Sequence, residues 1–184
     1  IKVSMVRKAT GEVYAQIKAE AANPKADVWY GGTHDPHLQA ANEGLLQPYV
    51  SANMKEQYPW SADLLAKSGN QVAGIYRITL GFGYNRELLA KKNQKPPACW
   101  SDLVKPEYVG EIETSSPATS GTAYTILATV VQLMGEDRAF DYLRALHKNV
   151  NRYTTSGTAQ RQSVSRGESL IGVTFLDEFI PEQH

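Results

Sequence analysis

The sequence predicts an α/β fold arranged in two lobes. Strand-like and helix-like stretches alternate within the first 45 residues, the pattern of a sheet flanked by helices. A long glycine-punctuated strand pattern at 72–84 and a second buried-strand pattern at 170–175 bracket a self-contained α/β block. Two strands entering and leaving such a block predict a double crossover. The first lobe is expected over residues 1–81, the second over 82–169, and a return strand toward the first lobe over 170–184.

Each element has its own signal. Ile1–Val6 alternates apolar and polar residues and reads as a strand. Thr10–Ala22 reads as a helix with Val13, Ile17 and Ala21 on one face, ended by Asn23-Pro24. Ala26–Tyr30 reads as a short buried strand, with a turn at Gly31-Gly32-Thr33. Asp35-Pro36 predicts a helix start, Asp35 as N-cap and Pro36 at the first helical position, with Gly44 as its stop. Residues 48–71 read as irregular or short-helical. Asn85–Lys92 is expected as a short helix, Trp100–Leu103 as a helical turn and Gly110–Thr114 as a strand. Thr122–Met134 and Asp137–His147 follow as helices broken at Gly135. Asn151–Tyr153, Thr158–Arg166 and Leu170–Phe175 close the series as strand, helix and buried strand.

Composition narrows the function classes. The chain has 184 residues and is 42% hydrophobic, enough for a sizeable core. Nineteen basic residues balance nineteen acidic ones, so the net charge is zero. A nucleic-acid partner is not expected, because polyanion binders carry a basic excess. No apolar stretch reaches the ~18 residues of a membrane span. The single Cys99 excludes an intrachain disulfide and a multi-cysteine metal site. The chain starts at Ile1 and stops soon after a strand, and it reads as a piece of something longer.

The segment richest in chemistry is Ser115-Ser116-Pro117-Ala118-Thr119-Ser120-Gly121-Thr122-Ala123. It follows a strand and opens a helix, so hydroxyls, a flexible glycine and free N–H groups meet at a positive helix end. That arrangement suits an anion; an ordinary N-cap is the simpler alternative. Ser156-Gly157-Thr158-Ala159 repeats Ser120-Gly121-Thr122-Ala123 before another expected helix. Gly31-Gly32-Thr33-His34-Asp35 stands at the carboxyl end of an expected strand, where open α/β sheets bind ligands. Thr33 offers a donor to an anion there. Asp35 either accepts from ligand hydroxyls or only caps its helix.

Other chemistries find little support. His34 and His37 are three apart, but there is no HExxH pattern and no metal site is expected. No GxSxG or Walker A pattern is present, and Gly81-Phe82-Gly83 lacks the third glycine of a dinucleotide fingerprint. No catalytic residues and no cofactor are therefore assigned. Cys99 is expected to be buried as packing. Trp29, Tyr30, Tyr76, Tyr84 and Tyr153 could stack on a ligand; core packing is the expectation for Trp29.

Six segments in order carry a family resemblance: ADVWYGGTHDPH at 26–37, LGFGYNRELL at 80–89, CWSDLVKPEYVG at 99–110, SGTAYTILATVVQLMGE at 120–136, ALHKNVNRY at 145–153 and GVTFL at 172–176. They resemble the family 1 extracellular solute-binding proteins of bacterial ABC importers, in the branch labelled ferric iron, 2-aminoethylphosphonate or sugar-phosphate binding. The resemblance implies a type II periplasmic binding fold of two lobes, here with the first lobe incomplete and lacking its first strand. It implies a non-enzymatic periplasmic protein that delivers a small anionic, phosphorylated or phosphonate solute to a permease in the inner membrane. Carried over by position, the ligand residues would be Gly32, Thr33, His34 and Asp35, then Ser120, Gly121 and Thr122, then Tyr153, Ser156 and Asp177 in the return segment. Ferric-binding relatives use two adjacent tyrosines near 153. Here Tyr153 is followed by Thr154, which favours a phosphorylated ligand over the alternative of ferric iron. An enzyme acting on a phosphorylated substrate is the other alternative. Open sheet edges in a partial lobe would invite dimerisation or strand exchange.

Overall fold

A computed structural model describes residues 2–182, the side chains of 181 and 182 excepted. The chain divides into two units, Ile1–Arg77 and Ile78–His184. The division falls four residues before the boundary expected at 81.

The first unit is helical where it is regular. Helix α1 (Thr10–Ala19) and helix α2 (His34–Asn42) are joined by Glu43, which accepts from Tyr14 Oη at 2.8 Å and pairs with Lys18 Nζ at 3.0 Å. A short 3₁₀ turn (Ala52–Glu56) and helix α3 (Pro59–Lys67) follow, the latter with proline in its first turn. Its small buried core comprises Ala40, Ala41, Leu65 and Val72.

Three strand expectations fail in this unit. Among the described residues, 2–6 and 26–30 form no strand, and of the pattern at 72–84 only 80–84 is paired. Ile1 lies outside the described residues. A strand exists only when a neighbour accepts its hydrogen bonds, and these segments have none. Their apolar side chains stand in solvent instead, with Val3, Met5, Val6, Val28 and Tyr30 all more than 70% exposed. Asp35 is likewise not the N-cap of α2: that position is Thr33, so Pro36 falls in the first turn rather than at its first residue.

The second unit is built on one four-stranded sheet. Its strands are β1 (Leu80–Tyr84), β2 (Ile112–Ser115), β3 (Val150–Thr154) and β4 (Ile171–Phe175), in the order β1-β4-β2-β3. β2 runs parallel to both β3 and β4, and β1 runs antiparallel to β4. Helix α4 (Arg86–Lys91) follows β1, capped by the Asn85 side chain on the Leu88 N–H at 3.0 Å. Helices α5 (Gly121–Met134) and α6 (Glu136–Asn149) connect β2 to β3, and α7 (Ala159–Ser165) connects β3 to β4. The expected return strand is thus the second strand of this unit's sheet, and a 3₁₀ stretch (Leu176–Glu182) follows it.

The two faces of the sheet differ. Ile112, Ile171 and Val173 share an apolar core with Ile126 and Val130 of α5 and with Ala139, Tyr142 and Leu146 of α6. Side chains alternate along a strand, so Glu113, Gly172 and Thr174 face the other way, toward α7. That side is polar. The wholly buried Glu113 carboxylate accepts from Arg152 Nη2 at 2.7 Å, Ser163 Oγ at 3.0 Å and Ser169 Oγ at 2.9 Å. Gly83 and Gly172, opposite each other in register, leave room for the Phe179 ring, which a side chain at either would meet. The Gly81-Phe82-Gly83 motif therefore serves packing.

Candidate functional site

Parallel strands of one sheet end on the same side, and there their loops converge. β2, β3 and β4 end at Ser115, Thr154 and Phe175. The loops that leave them are 116–120, 155–158 and the stretch from Leu176, so Ser120, Ser156 and Asp177 occur at one end of the second unit's sheet. The two Ser-Gly-Thr-Ala repeats begin in the first two of these loops and run into the helices that follow.

The first repeat opens α5. Ser120 is the N-cap, and its Oγ accepts from the Ala123 N–H at 3.4 Å. Gly121 and Thr122 are the first two helical residues, so their N–H groups have no acceptor within the helix. Thr122 is only 7% exposed and Ser120 only 3%. Ser115 Oγ, at the end of β2, is buried and unpartnered. A buried hydroxyl left unpaired costs about 1–3 kcal/mol.

The second repeat packs onto the first. A methyl group at Gly157 would sit 2.6 Å from Thr122 Cβ and 2.8 Å from Ser120 Oγ. Only a glycine backbone comes so near those two side chains. Ser156 stays exposed, with its Oγ 3.3 Å from Thr158 Oγ1. The two repeats are thus in contact with each other.

The other expected residues have distinct surroundings. Tyr153, 44% exposed, is bonded through its hydroxyl to His147 Nδ1 at 2.9 Å, and burial pushes the phenol above its ordinary pKa. Asp177 is exposed, two residues past the end of β4. In the first unit, Gly31 and Gly32 both adopt positive φ, at 81° and 90°. The Gly32 N–H donates to Tyr76 Oη at 3.0 Å. Thr33 Oγ1 is buried without a partner, beside the start of α2. His34 is largely exposed, 3.7 Å from Asp35. His37 stacks on Trp29 with ring centroids 3.7 Å apart and donates to the Gly31 carbonyl at 2.9 Å. Burial lowers its pKa, the Gly31 carbonyl opposes that, and His34 adds to the lowering.

Two expectations about packing are corrected. Cys99 is exposed, not buried, with its Sγ 3.0 Å from Ser101 Oγ; it precedes a 3₁₀ turn (Trp100–Val104) held at the surface by Asp102. Trp29 is half-exposed against His37 rather than part of a core. Among the described residues, no group of three His, Cys, Asp or Glu side chains could hold a metal ion, and no helix is long and apolar enough to cross a membrane. The residues that sequence reasoning missed are Thr174, described below, and the buried Glu113. A charged residue within GEIET was the only available signal for Glu113.

Known proteins match this chain along its whole length. An uncharacterized protein of Haemophilus influenzae is 46% identical over 184 residues, covering all of this chain and 53% of that protein. A probable ABC transporter periplasmic-binding protein of Sinorhizobium fredii is 27% identical over 183 residues, 95% of this chain and 48% of that one. The chain thus spans about half the length of the curated relatives it matches. Among solved structures, the periplasmic binding protein AfuA of Actinobacillus pleuropneumoniae, with exogenous fructose-6-phosphate bound, superimposes with a TM-score of 0.91 at 43% identity. That match covers all of this chain and 58% of AfuA. The α/β fold is therefore that of periplasmic binding proteins. Residues 23–183 match the family described as bacterial extracellular solute-binding protein, and the chain belongs to that family.

Proposed function

We propose that this chain is part of the periplasmic solute-binding component of an ABC importer, and that it binds a small phosphorylated anion without chemical change. The observation that carries the reading is the N-terminus of a 14-residue helix, where Ser120, Thr122 and the N–H groups of the first helical residues come together. An anionic oxygen there would accept from the Thr122 hydroxyl and from N–H groups at the positive end of the helix dipole. Ser120, Gly121, Thr122 and Ser156 are the proposed contacts in the second unit. Gly32, Thr33, His34 and Asp35 are those of the first, with Thr33 Oγ1 as the main donor. Tyr153 and Asp177 are retained as flanking contacts. AfuA, bound to fructose-6-phosphate, supports a sugar phosphate as the ligand class. The partner would be an inner-membrane permease.

A thermal-shift series tests the reading, using fructose 6-phosphate, 2-aminoethylphosphonate, inorganic phosphate and ferric citrate. A ligand at about 100 times its dissociation constant stabilises by about 2.7 kcal/mol. Stabilisation by a phosphorylated ligand, lost in Ser120→Ala/Thr122→Ala, is expected. Stabilisation by ferric citrate alone would overturn the anion reading, and turnover of the ligand would replace it with an enzyme.

A further inference from the structure

Three threonines each donate to a carbonyl of one loop. Thr119 Oγ1 donates to Thr155 O at 3.2 Å, Thr154 Oγ1 to Ser156 O at 2.8 Å and Thr174 Oγ1 to Gly157 O at 2.5 Å. They come from three different places: the first loop, the end of β3 and the next-to-last residue of β4. Thr174 is completely buried, so it cannot touch a ligand. Gln160, also completely buried, donates to Thr154 Oγ1 at 2.9 Å and fixes that hydroxyl's direction.

We propose that Thr119, Thr154 and Thr174 are positioning residues for the anion site of the second unit: by taking three successive carbonyls, they turn the loop's N–H groups toward the ligand. The inference rests on the anion reading above. In a trans peptide the C=O and N–H point in opposite directions. Holding Thr155 O, Ser156 O and Gly157 O therefore directs the N–H groups of Ser156, Gly157 and Thr158 away from the three threonines. The Thr158 N–H goes to Ser156 Oγ at 3.4 Å, while those of Ser156 and Gly157 have no acceptor among the described residues. Successive N–H groups left free in a turn can line an anion-binding concavity. Carbonyls facing the same way would repel the anion. The same bonds hold Gly157 against Ser120 and Thr122, so the two repeats share one geometry.

The test is titration of the chain with inorganic phosphate, followed by amide chemical shifts, alongside thermal unfolding. The variants are Thr154→Val and Thr174→Val, their serine counterparts, and Val130→Ala in the α5 core as a stability control. In the unsubstituted chain the amides of Gly121, Thr122 and Gly157 should shift saturably. Each valine variant should need about tenfold more phosphate, the equivalent of one lost hydrogen bond. Thr154→Ser and Thr174→Ser should restore the original titration, and Val130→Ala should lower the melting temperature without moving it. Unaltered titration in both valine variants would overturn the positioning role, as would equal weakening in Val130→Ala. Should Thr174→Val fail to fold, Thr154→Val decides alone, because Thr154 is only partly buried. Silence of Gly121 and Thr122 in the unsubstituted chain would overturn the anion reading itself.

Discussion

Gly157→Ala isolates the contact between the two Ser-Gly-Thr-Ala repeats. Gly157 does not occupy the left-handed region, so alanine meets no backbone penalty and the effect is steric. The added methyl would stand 2.6 Å from Thr122 Cβ. Carbon atoms pack comfortably from ~3.5 Å, so loop and helix must separate by about 0.9 Å. Thr122 Cβ is fixed to the first turn of α5 and cannot swing aside. The displacement would stretch Thr154 Oγ1–Ser156 O from 2.8 Å toward the limit of a hydrogen bond. Overpacking of this kind costs about 1–3 kcal/mol, and in a unit of this size that lowers the melting temperature by on the order of 10 °C. Phosphate affinity should fall at least about tenfold, since both sets of donors move. Thermal unfolding and a phosphate titration read both effects. Thr122→Gly in the same chain vacates the contact, so the double variant should be more stable than the sum of the singles predicts. A Gly157→Ala protein that melts within about 1 °C of the original and binds phosphate equally well would refute the reasoning.

Three further outcomes follow from the same structure. Glu113→Ala strips a buried carboxylate from Arg152, Ser163 and Ser169; because Arg152 is half-exposed and can reach water, the loss should lie near ~3 kcal/mol, measured by denaturant unfolding, and a neutral result would contradict the network's role. His37 has a lowered pKa in the folded chain, first through burial; the folded state then binds fewer protons than the unfolded one, so stability is full above about pH 6.5 and is lost as pH falls toward the folded value. His37→Gln should flatten that slope, and an unchanged slope would assign it elsewhere. Exposed Val3, Met5, Val6, Val28 and Tyr30 should drive concentration-dependent association, which Met5→Lys with Val28→Lys reduces; sedimentation as a monomer at every concentration would exclude it.

The second unit was legible in the sequence because its signals are local and its partners are present. Ser120 before an apolar helix, Gly135 between two helices and Asn85 before a short one mark real boundaries. The first unit was less legible. The alternation at 1–6 and the short apolar run at 26–30 announce strands, but pairing belongs to two segments, and no described neighbour pairs with residues 2–6 or 26–30. Asp35-Pro36 places the helix start two residues late, since Thr33 provides the extended backbone of the N-cap. At the site, the hydroxyl-rich repeats were readable as letters, but their contact was not. It depends on Gly157 meeting Ser120 and Thr122 across 35 or more residues of chain, and on Thr174, whose place in a buried strand gave no hint of a polar task.

The most direct test of the central claim is an amide chemical-shift titration with fructose 6-phosphate set against fructose. The account predicts saturable shifts at Gly121, Thr122, Ser156 and Gly157 with the phosphorylated sugar and none there with the free sugar. Equal responses to both, or shifts confined to other parts of the chain, would contradict an anion site at the paired repeats.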